Sequence, residues 1–212
     1  MQRVKIVTSI AYPIAIVYII GAIPFSYILG KIAKNIDIRQ MGSHNAGATN
    51  LMRCVGKPLG ITALTLDVLK GVLAVSIIAN FFYSQAMIMN PYLFRVVLGL
   101  TVVAGHVWTV FLKFKGGKGV ATTIGVLMGL SPLAAISGLL VWCLFALIYK
   151  YVSLSSMAMS ASLPFFMFAF GLPREYVILS TMLCVIIIYR HRSNIYRLIK
   201  GTEYKIGQKA SG

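Results

Sequence analysis

Six apolar runs occupy most of this chain: Ile6 to Leu29, Leu59 to Tyr83, Tyr92 to Leu112, Val120 to Tyr149, Val152 to Leu172 and Tyr176 to Tyr189. A helix crosses a bilayer's hydrocarbon core in about 20 residues, and most of these runs are that long. Their bulk is continuous rather than alternating. Helices, not barrel strands, must therefore satisfy the backbone in lipid. Composition agrees, because 58% of the 212 residues are hydrophobic and only 11% charged, against about 45–50% and about 25% in soluble domains. A soluble chain this short could not hide so much apolar surface. The fold expected is an all-α integral membrane protein, one transmembrane domain spanning residues 1–212.

The first run follows Arg3 and Lys5, as a signal peptide's would, but it continues to Leu29 and meets Lys31 and Lys34, which marks an uncleaved span. Cys54, Cys143 and Cys184 have neither a disulfide framework nor metal-ligand spacing. No metal and no cofactor are expected. The net charge of +16 needs no nucleic-acid partner, since the cytoplasmic loops of membrane proteins collect Lys and Arg.

Three polar segments hold nearly all the unusual chemistry: Gly30 to Pro58, Lys113 to Gly119 and Arg190 to Gly212. They can share a face only if an even number of crossings separates each from the next. Two runs lie between the first and second segments. Three lie between the second and the tail, unless the 30-residue run Val120 to Tyr149 divides. It contains Ser131-Pro132, an N-cap residue followed by a proline suited to the first helical position. The run then reads as a short helix, Val120 to Leu130, and a full span, Leu133 to Tyr149. Seven transmembrane helices result. The short one is about 16 Å long, less than the hydrocarbon thickness, so its N-terminus is tilted or buried among neighbours. Lys31, Lys34, Arg39, Arg53, Lys57, Lys113, Lys115, Lys118, Lys150 and the tail cations from Arg190 to Lys209 fall on the shared face, with Arg3, Lys5, Arg95 and Arg174 on the other. The positive-inside rule makes the basic face cytoplasmic and the N-terminus external.

FKGGKG, Phe114 to Gly119, precedes the short helix. Its glycines would let the backbone approach an anion, the helix N-terminus adds partial positive charge, and Lys118 adds a full one. It is not a Walker A loop, which would need Gly where Leu112 stands and Ser or Thr where Gly119 stands. A basic turn touching lipid head groups is the plainer alternative. GSHNAGATN, Gly42 to Asn50, packs small and hydrogen-bonding residues into a stretch that either binds a polar ligand or turns. In the tail, Arg190, His191, Arg192, Asn194 and Arg197 suit phosphate or an ordinary positive stop. Asp67 and Lys70 share a helical face and can pair, as a functional site or as a structural ion pair. His106 is expected to anchor a span near the interface. A relay of Ser43, His191 and Asp67 can be drawn, but spacing does not support it.

GSHNAGATN, LTLDVLKG, AGHVWTVFLKFKGGKGVAT, YVSLSS and YRHRSNIYRLIKGTE, in that order, resemble the bacterial PlsY family of acyl-phosphate:glycerol-3-phosphate acyltransferases over nearly the whole chain. The resemblance implies a seven-helix enzyme of the bacterial inner membrane with its active site on the cytoplasmic face. Its substrates would be acyl-phosphate and glycerol 3-phosphate, its product 1-acyl-glycerol-3-phosphate (lysophosphatidic acid), and its only other partners membrane lipids. It further implies that Ser43, Lys118, His191 and Asn194 are catalytic, with Arg53, Gly116, Gly117 and Gly119 at the phosphates. Asn45, Thr49, Asn50, Arg190 and Arg192 complete the expected binding set, and Asp67 with Lys70 supports it. His44 stands where that family usually has glycine, a position that can require φ > 0; its side chain is expected to point to water. The implied mechanism is direct attack on the acyl carbon, with the acceptor's phosphate as base. A transporter of an organic phosphate is the alternative function, although no internal repeat supports it. Oligomeric state is left open.

Overall fold

The computed structural model describes residues 2–83 and 89–208, with side chains from Ile10 onward. Lys209, counted above on the basic face, lies outside the described residues, as do the side chains of Arg3 and Lys5.

Helix α1 (Gln2–Ala22) ends before Pro24, and α2 (Phe25–Lys34) follows. The first apolar run, read as continuous to Leu29, is thus broken, because proline has no N–H to carry the helical ladder forward. In lipid the freed carbonyls need other donors. Lys70 Nζ donates to Gly21 O at 2.9 Å, and Thr109 Oγ1 donates to Ala22 O at 2.6 Å.

The short α3 (Ala48–Cys54) leads into α4 (Lys57–Val72), which continues through one π-helical stretch, Leu73–Ile78, into α5 (Ala79–Tyr83). Next, α6 (Pro91–Val107) ends in a 3₁₀ turn at Val110–Leu112. The expected division of the long run is observed: α7 (Val120–Leu130) and α8 (Pro132–Tyr149) meet at Ser131, whose side chain accepts from the Ala134 amide. The remaining helices are α9 (Val152–Ala169), α10 (Arg174–Arg190) and the amphipathic α11 (Arg192–Ile199). Among the described residues no strand occurs. Among the described residues five helical segments are long and apolar enough to cross a membrane, and α7 is a shorter apolar helix. The chain is an all-helical integral membrane protein; length and composition account for five of the seven expected crossings.

Close backbone contact seats α7. A Cβ added at Gly125 would lie 1.9 Å from the Val68 carbonyl oxygen, and one at Gly71 would lie 2.3 Å from that of Thr122. Only glycine lets α4 and α7 approach so closely, the small-residue packing on which helices in lipid depend. Val75, Val102, Val126, Leu127, Leu163 and Leu183 fill the core between the helices. This packing fixes where the start of α7 points.

Candidate active site at the polar end of the helices

A cavity of about 320 Å³ opens where the three polar segments meet. Ser43, Asn45, Thr49, Asn50 and Arg53 line it from the first segment, Lys118 and Gly119 from the second, and His191, Asn194 and Glu203 from the tail. Leu64, Ile124, Leu139 and Trp142 form an apolar wall. The site is therefore polar at the helix ends and greasy toward the membrane interior.

Lys118 leads into α7 through Gly119, whose φ of +88° suits glycine. Its ammonium donates to Asn194 Oδ1, and Asn194 Nδ2 donates to Glu203 Oε1 at 2.6 Å. Burial pushes the Lys118 ammonium down to about 7; Glu203 opposes this, while Arg197, Arg53 and Arg190 reinforce it. Burial and the Lys118 charge push His191 down to about 3, against the hydrogen bond to the Ile187 carbonyl. His191 Nδ1 lies 2.8 Å from Ile187 O. A carbonyl only accepts, so Nδ1 carries the proton and the neutral ring keeps a bare Nε2. Glu203 is buried yet ionised: burial raises its carboxyl, but hydrogen bonds from Asn194, Arg197 and Ser153 outweigh that and hold it below its ordinary value. Ser153 Oγ donates to it at 2.8 Å and Arg197 Nε at 2.7 Å.

Several expected ligands do other work. Asn50 was expected to bind substrate, but its amide is committed inside its own loop. Nδ2 donates to the carbonyls of Ile38, Met41 and Asn45, and Oδ1 accepts from the Ser43 amide at 2.9 Å. The expected glycine cradle also needs correction. The Gly116 and Gly117 amides donate to the Val107 and His106 carbonyls, each at 3.1 Å, and neither residue lines the cavity. They are glycines because a Cβ at Gly116 would meet the His106 carbonyl at 2.1 Å and one at Gly117 the His106 ring at 2.2 Å. The donors left free are those of the first turn of α7 at Gly119, Val120 and Ala121, which do line the cavity. Arg190 braces the loop from behind, donating to Gly116 O and Gly117 O at 3.2 and 3.3 Å. Arg192 is exposed and stacks on Tyr189.

Asp67 and Lys70 form the expected pair at 2.8 Å, both buried. His106 joins them rather than anchoring at the interface, with Nδ1 2.9 Å from Lys70 Nζ and 3.4 Å from Asp67 Oδ1. Asp67 is thus paired here, and the drawn relay with Ser43 and His191 does not form. His44 has φ +55° and is exposed, but its Nδ1 lies 3.2 Å from the Arg39 carbonyl oxygen rather than facing water alone. Sequence reasoning missed Glu203 and Ser153. Glu203's rarity as one of four acids in the whole chain was the available signal.

A helical membrane protein with a cation-lined cavity that is apolar toward the bilayer is built to handle an amphiphilic anion. A sequence model described as glycerol-3-phosphate acyltransferase matches residues 11–201, and the chain belongs to that family. The glycerol-3-phosphate acyltransferase of Alkaliphilus metalliredigens is 48% identical over 194 residues, 92% of this chain and 94% of that one. That of Desulforamulus reducens is 42% identical, covering 91% and 92%. Two crystal structures of PlsY, an integral membrane glycerol 3-phosphate acyltransferase, one in the glycerol 3-phosphate form and one in the lysophosphatidic acid form, are similar to it with TM-scores of 0.83 and 0.82. Both are 37% identical, covering 94% of this chain and 96% of theirs.

Proposed function

We propose that this membrane acyltransferase moves a fatty acyl group from acyl-phosphate to the 1-hydroxyl of sn-glycerol 3-phosphate, giving lysophosphatidic acid and phosphate. The observation that carries this reading is that Lys118 and Arg53 face the same cavity as Leu64, Ile124, Leu139 and Trp142. An acyl-phosphate has both an anionic head and an apolar chain. Glycerol 3-phosphate needs only the polar end.

The acceptor's hydroxyl oxygen attacks the acyl carbon, and the bond from that carbon to the phosphate oxygen breaks, its electron pair leaving with phosphate. The donor is already activated, so no acyl-enzyme is required. Lys118, Arg53 and the first-turn amides of α7 neutralise the phosphates, with Ser43, Asn45 and Thr49 as neutral donors. Glu203 aims Asn194, and Asn194 holds Lys118. His191, neutral with a bare Nε2, accepts a hydrogen bond from a substrate hydroxyl and orients it. The proton passes to the acceptor's own phosphate, whose second pKa is about 6.

The residues at the site come from all three polar segments, which supports the parity argument. On that argument residues 1–212 form one domain of seven crossings in the bacterial cytoplasmic membrane, with the N-terminus outside and the site facing the cytoplasm. The purified protein, given labelled glycerol 3-phosphate, is expected to form lysophosphatidic acid from acyl-phosphate and none from acyl-CoA. Product from acyl-CoA alone would sink the donor assignment. No product from either, in folded protein, would return the organic-phosphate transporter to first place.

A further inference from the structure

We infer that Tyr204 is a positioning residue for phosphate recognition: its ring holds the Arg53 guanidinium by its face and leaves the edge donors free for the anion. The inference rests on the reading of Arg53 as a phosphate ligand.

Three of the other tail and loop arginines are spent, and Arg192, which also stacks on a ring, is exposed and does not line the cavity. Arg39 pairs with Asp37 at 2.7 Å, Arg197 with Glu203 at 2.7 Å, and Arg190 donates to two loop carbonyls. None of the ion pairs among the described residues includes Arg53. Instead its guanidinium carbon lies 5.0 Å from the centroid of the Tyr204 ring. A carboxylate partner would cancel the charge and occupy N–H donors along the fork. An aromatic face does neither, because it attracts the cation from above while all five donors stay in the plane. Arg53 is thereby fixed with no carboxylate on its donors, since the nearby Glu203 is paired with Arg197 and acts on it only through space.

The ring is itself held on both sides. Glu203, immediately before it, takes three side-chain hydrogen bonds, from Ser153, Asn194 and Arg197. Two residues beyond, the Ile206 amide donates to the Lys150 carbonyl at 2.8 Å, at the turn between α8 and α9. Between these anchors Lys205 lies over the Tyr151 ring. The segment from Glu203 to Ile206 therefore straps the tail across to α9 and presents Tyr204 to the last turn of α3. A side chain outside the cavity lining thus sets the pose of one inside it.

The test is steady-state kinetics on the purified full-length enzyme carrying Tyr204→Leu, Tyr204→Phe, Tyr204→Trp or Arg53→Gln, and on the Leu–Gln double variant. Arg53→Gln identifies the substrate whose KM depends on the guanidinium. Tyr204→Leu is expected to raise that same KM by about 3- to 30-fold, the range of a cation–π contact, with kcat nearly unchanged. Tyr204→Phe and Tyr204→Trp, which keep the ring, should stay within about twofold, and the double variant should be no worse than Arg53→Gln alone. If Arg53→Gln raises KM and Tyr204→Leu does not, the inference fails while the site reading stands. If Arg53→Gln changes no KM, the site reading fails and takes the inference with it. Should the Leu variant not fold, the Phe and Trp variants decide alone: a tenfold rise in KM for either overturns the claim.

Discussion

On the proposed reading, Lys118 concentrates the chemistry in one residue. It is the cation that the loop motif singles out, and among the described residues the only lysine lining the cavity. Lys118→Met should lower kcat/KM at least about 100-fold, the scale for losing one preorganised donor to developing charge. Its pH dependence has a definite sign. Burial lowers this group to about 7, so the free enzyme loses its positive charge as pH rises through that value. Since kcat/KM reports the free enzyme, it should fall above about pH 7, and Lys118→Arg should remove that limb because guanidinium stays protonated. A flat profile in the parent enzyme would separate Lys118 from phosphate binding. Lys118, Arg53, His191 and Asn194 were legible as polar residues within a chain of oil. Asn50 lies at the cavity wall, but its side-chain amide is spent on its own loop, because residue type alone cannot say which partners an amide finds.

At the scale of helices, the buried Asp67–Lys70–His106 cluster ties α4 to the end of α6 and to the break between α1 and α2. The His106 carbonyl in turn holds the Gly117 amide, so this cluster supports the loop that carries Lys118. Removing Lys70 leaves the Asp67 carboxylate buried with only the His106 ring, 3.4 Å away, beside it. Lys70→Met should therefore cost about 3–5 kcal/mol, read as a drop in the unfolding midpoint in detergent, and the double change Asp67→Leu with Lys70→Met should cost less than the single one. An equal or larger loss in the double variant would show that the cluster does more than balance charge. Gly125→Val tests the seat of α7. Its side chain has no room against Val68, so α7 must shift, and activity should fall together with thermal stability. The split at Ser131-Pro132 was readable because capping chemistry is local. The contacts of Gly71 and Gly125 were not, since a glycine in a helix does not name the helix it touches.

For the whole molecule, the parity argument predicts sidedness. In a variant lacking the three native cysteines, a thiol placed at Lys115 should react with an impermeant reagent only from the cytoplasmic side, and one placed at Arg174 only from outside. The reverse pattern would invert the topology. Sequence alone determined the helical membrane class, the shared face of the three polar segments and the family resemblance, because hydrophobic length, charge placement and short motifs act along the chain. Tertiary structure decided which atoms remain free. It spent the Gly116, Gly117 and Asn50 amides on internal hydrogen bonds, placed His106 in a buried ion cluster, and brought Glu203 and Tyr204 to a site 150 residues from Arg53. Every donor must find an acceptor somewhere, and where it finds one depends on segments far apart in sequence and adjacent only after folding.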